Sequence, residues 1–74
     1  MSNKDELRAS LEEELGYIKD DIEEYINEAK ELEAFNPTDE EEIKEKEVQV
    51  AFNQRQHEAA QKAKDHIEKR LATL

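Results

Sequence analysis

Pro37 stands halfway along a 74-residue chain made almost wholly of helix formers, and it is the chain's single proline. Proline cannot donate the hydrogen bond a helix interior needs, and it pushes the residue before it, Asn36, out of helical backbone. Thr38 then offers a hydroxyl as helix cap, with Glu41 three residues on as its capping-box carboxylate. Asp39, Glu40 and Glu42 add negative charge where the helix dipole is positive. The stretch "AFNPTDEEE" is therefore read as a helix stop, a short turn and a helix start. Short connections set helices antiparallel and side by side.

Leu11, Leu15, Ile18, Ile22, Tyr25, Ala29 and Leu32 follow one another in alternating steps of four and three, and Leu7 and Ile26 widen the stripe. A packing helix keeps that rhythm; a disordered polar tract has no reason to. Periodicity thus overrides the disorder suggested by 43% charged residues. Asn3 and Glu6 resemble a capping pair at the start. Gly16 interrupts the helix formers, but the stripe stays in phase across it, so one helix is expected at a local cost of about 1 kcal/mol.

In the second half, Val48, Phe52, Ala59, Ala60, Ala63, Ile67 and Leu71 collect as an apolar face. Glu40–Lys44, Glu42–Lys46, Glu58–Lys62 and Asp65–Lys69 are acid-before-base pairs four apart, and Lys69 and Arg70 suit the negative pole at the end. Folding at Pro37 sets residues whose numbers sum to about 74 against each other, so that Leu7 meets Ile67 and Ile22 meets Phe52. The expected fold is all-α: one domain over residues 1–74, an antiparallel, coiled-coil-like two-helix hairpin. Its helices span about 4–35 and 39–72, joined by a turn at 36–38.

So small a hairpin has a thin core, since each ordered residue loses about 1.5 kcal/mol of conformational entropy. Ile43 and Val50 project on nearly the opposite side from Val48 and Phe52, and two helices cannot bury both. The expectation is self-association into a homodimeric four-helix bundle, or capture of another protein's helix. Tyr25, Ile26, Ile43, Val50 and Phe52 are its anchors.

Charge narrows the partners. Eleven basic against 21 acidic residues give −10. Direct nucleic-acid binding and an anionic membrane surface are both disfavoured, and an electrostatically steered partner is basic. Glu14, Asp21, Glu24, Glu28 and Glu31 form an acidic ladder on one flank of the first helix, with Tyr17 and Phe35 in the same row. It is read either as an ordinary solvated face or as a docking face for a basic protein, imitating a nucleic-acid backbone.

Catalysis is not expected. There is no cysteine and no Gly-rich phosphate loop. His57 and His66 are nine apart on one helix, point in roughly opposite directions, and cannot share a metal. No catalytic, metal or cofactor residue is assigned. The opening "MSNKDELRAS" lacks the apolar run of a signal peptide, and the lack of cysteine suits a reducing compartment, so a cytoplasmic setting is expected. The sequence thus leads to a small acidic noncatalytic interaction or assembly module. The alternative is an acidic antagonist of a nucleic-acid-binding protein.

Overall fold

A computed structural model describes residues 2–74, and in it the chain forms two α-helices packed against each other, with no strand among the described residues. Helix α1 runs Asn3–Ala34 and helix α2 runs Glu40–Ala72. The molecule measures 59 × 14 × 13 Å. A helix of this length is about 50 Å long at 1.5 Å per residue, so the shape is that of two helices lying side by side. Neither is long and apolar enough to cross a membrane.

The caps differ from the sequence reading by one residue each. Ser2, not Asn3, caps α1: its backbone is extended, and its Oγ accepts from the Asp5 N–H at 3.3 Å. Asp39, not Thr38, caps α2, accepting from the Glu41 N–H at 3.2 Å. Aspartate outranks threonine as a cap, and it brings a full negative charge to the positive pole of the helix.

The stop before Pro37 comes at Ala34, where the Phe35 N–H still closes onto the Glu31 carbonyl at 3.1 Å. The last turn of α1 contains no basic residue. Its negative pole receives a cation from the other helix instead: Lys46 Nζ donates to the Phe35 carbonyl at 2.6 Å.

Helix α1 passes through Gly16 unbroken, and a methyl group added there would meet nothing within 4 Å beyond its chain neighbours and the backbone of its own helix. Gly16→Ala is therefore expected to stabilise the protein by about 0.5–1 kcal/mol, read as a higher urea midpoint with unchanged slope.

The α1 stripe packs largely as its spacing predicts. Leu11, Ile22 and Leu32 are buried, and Leu15, Ile18 and Tyr25 half-buried, whereas Ala29 is exposed and Leu7 and Ile26 sit at the rim. Helix α2 keeps Ala60, Ile67 and Leu71 of the expected face on the inside and turns the rest of it outward. Val48 and Phe52 point to solvent, 67% and 55% exposed, and Ala59 and Ala63 are exposed as well. The face that meets α1 steps by threes and fours from Ile43 at its rim, through Lys46, Val50, Asn53, His57, Ala60, Lys64 and Ile67, to Leu71. Ile43 and Val50 are thus on the inner side, in phase with Ile67 and Leu71, and the expected opposition of Ile22 to Phe52 is replaced.

Four members of this seam are polar, which is why sequence reasoning passed over it. Burying a polar group costs free energy unless it is hydrogen-bonded, and each of the four has a partner. Lys46 has the Phe35 carbonyl, Asn53 Nδ2 donates to the Tyr25 carbonyl at 3.0 Å, His57 lies 3.4 Å from the Gln61 side chain, and Lys64 pairs with Glu68 at 3.7 Å. Lys64–Glu68 is the one ion pair among the described residues, so the four acid-before-base pairs read from the sequence are not closed. A register centred on Pro37 would also have set Gln49 opposite Tyr25; Asn53 stands there, one helical turn further along.

Candidate interaction surfaces

The expected self-association residues do not form one surface. Tyr25 and Val50 are half-buried in the seam between the helices, Ile26 and Ile43 lie at its rim with about 40% exposure, and Phe52 faces outward. Ile43 and Val50 do line one shallow, open groove, with Lys46, Glu47, Ala51 and Gln54 of the same helix. A second open groove lies along His57, Glu58, Gln61, Lys62 and Asp65. Among the described residues no three metal-ligating side chains gather.

The outer face of α2, expected in the core apart from the anchoring role of Phe52, is a surface in the structure. Val48 and Phe52, one turn apart, lead onto Ala59, all on the side away from α1. The signal was present: Ile67 and Leu71, followed backwards in steps of four and three, lead to Ala60, Asn53, Val50 and Ile43, and leave Val48 and Phe52 out of phase.

The acidic row of α1 is in the open. Glu14, Asp21, Glu24, Glu28 and Glu31 are exposed, as are Tyr17 and Phe35 at 63% and 48%. Tyr17 donates its hydroxyl to Glu13 Oε1 at 3.1 Å, which holds the ring along the helix. Helix α1 carries twelve acidic and four basic residues, a net −8, against eight and seven for α2. The charge of the molecule is therefore concentrated on one of its two helices.

Asn53 is the remaining singular feature. It is the one buried polar residue among those described, 4% exposed, and it ties α2 to the backbone of α1. A lone asparagine in a helix seam costs stability and fixes register. Asn53→Leu should therefore raise the unfolding free energy by about 1–2 kcal/mol, several degrees in Tm for a domain of this size. It should also loosen the pairing, visible as extra sets of amide resonances. A lower Tm for the variant would show that the hydrogen bond outweighs its desolvation.

Compared with protein-family models, with curated proteins and with solved structures, the chain finds no match.

Proposed function

We propose that this protein is a small noncatalytic module that works by helix-to-helix contact, assembling with a second copy of itself or docking another protein. The observation that carries the reading is the excess of surface. A compact monomer of 8.7 kDa exposes about 4,700 Å² by the usual scaling, and this chain exposes 5,997 Å². Its radius of gyration is 17.2 Å, against about 11 Å for a compact domain of this length. Four apolar residues among those described are buried, and none of the four is fully enclosed. Association is the ordinary way for so thin a fold to gain the burial it lacks. The test is solution mass across a wide range of protein concentration. A defined assembly supports the reading; a persistent monomer that also ignores helical partners counts against it.

A second reading is favoured by one specific observation: the acidic row lies exposed along α1 with Tyr17 and Phe35 within it. Such a row suits the basic surface of a nucleic-acid-binding protein. Reversing Glu24, Glu28 and Glu31 to lysine should then weaken binding to a basic domain at least tenfold without loss of helicity, and binding should fall steeply with salt. Binding indifferent to salt would exclude it.

A further inference from the structure

The outer face of α2 is self-complementary when run against itself. Its apolar residues Val48, Phe52 and Ala59 occupy the middle of the helix, all exposed. Charge is graded along the helix: Glu40–Glu47 contains five acidic and two basic residues, and 48–72 contains five basic and three acidic. The acidic end therefore precedes the apolar middle, and the basic end follows it.

Antiparallel helices advance in opposite directions, so a constant sum of residue numbers defines each possible register. Setting Val48 against Ala59 of a second copy places Phe52 beside Arg55, Glu45 beside Lys62, and Glu41 beside His66 of that copy. Each pair occurs twice about a twofold axis, as an isologous interface requires. Large meets small at Val48–Ala59, a guanidinium meets a ring at Phe52–Arg55, and opposite charges meet at Glu45–Lys62. Two other arrangements lack this match. A parallel pairing sets Glu45 against Glu45 and Lys62 against Lys62, and docking through α1 brings −8 against −8.

We infer that a second copy of this chain docks antiparallel on the outer face of α2, with its twofold axis near Asn53 and Gln54. This specifies the partner and the surface of the assembly reading above, and rests on it. The product is a row of four helices with the two α2 helices inside and the two acidic α1 helices outside, not a square bundle. The surface excess of about 1,300 Å² per chain is more than the roughly 800 Å² that each partner of a standard interface contributes.

The chain has no cysteine, so engineered thiols report cleanly. Val48 and Ala59 of one chain lie about 16 Å apart along the helix, too far to bridge internally. The variant carrying both Val48→Cys and Ala59→Cys should oxidise to a covalent dimer, while Val48→Cys alone should not. Cross-linking by Val48→Cys alone would overturn the antiparallel register. In light scattering behind a sizing column, Val48→Glu with Phe52→Glu should raise the dimer dissociation constant at least tenfold with unchanged circular dichroism. Lys62→Glu should weaken the dimer, and Glu45→Lys added to it should restore it. A dimer indifferent to the Val48/Phe52 pair would overturn this face and leave the assembly reading standing. A wild-type chain that stays monomeric throughout overturns self-docking; binding to a helix of other chemistry then decides the broader reading separately.

Discussion

Val50→Glu is expected to cost the hairpin about 2–3 kcal/mol, whereas Val48→Glu, two residues earlier, should change the stability of the single chain by no more than about 0.5 kcal/mol. The two substitutions are chemically identical and local helix propensity hardly separates them, so the difference isolates the direction each residue faces. Val50 is half-buried against α1, and a glutamate there either loses hydration or pries the helices apart. Val48 is 67% exposed and gives up little on becoming charged. Urea unfolding at high dilution, where association contributes least, is the measurement. The reverse order would return Val48 to the core.

Ile67→Ala should be the more damaging truncation, at about 2–5 kcal/mol. Ile67 and Leu11 are the two most buried apolar residues among those described, each 4% exposed. A domain of this length has a total stability of about 4–11 kcal/mol, so the variant loses a large fraction of it and leaves a visible unfolded population at moderate temperature. Phe52→Ala removes a larger side chain, yet one 55% exposed, and should cost the single chain about 0.5 kcal/mol or less. On the apolar face first expected from the sequence, Phe52 is a core residue and the ranking is inverted. Thermal melts of the two variants side by side separate the cases.

The hairpin was legible because its determinants are local. Pro37 stops one helix, and the acidic run after it starts the next within one residue of the expected place. The α1 stripe was legible because nearly every seam position is a large apolar residue. The phase of α2 was not, because its seam spends four positions on Lys46, Asn53, His57 and Lys64. Their partners include the carbonyls of Phe35 and Tyr25, and those bonds exist only once the helices have docked. Hydrophobicity alone therefore favours Val48, Phe52, Ala59 and Ala63, which are more apolar but out of step with Ile67 and Leu71. The exposure of Glu14, Asp21, Glu24, Glu28 and Glu31 was legible, since exposed charge needs no partner to be placed. Ile43 and Val50 lie at or within the seam, so changing them would disturb the fold together with any interface.

The phase of α2 carries both the account of the fold and the inference about its outer face, and nuclear Overhauser contacts between the two helices test it most directly. The account predicts contacts from the Asn53 side-chain amide to Tyr25, and from the Val50 methyls to the α1 stripe, with none between the Phe52 ring and Ile22. Contacts joining Phe52 to Ile22, with the Val50 methyls free of α1, would contradict it.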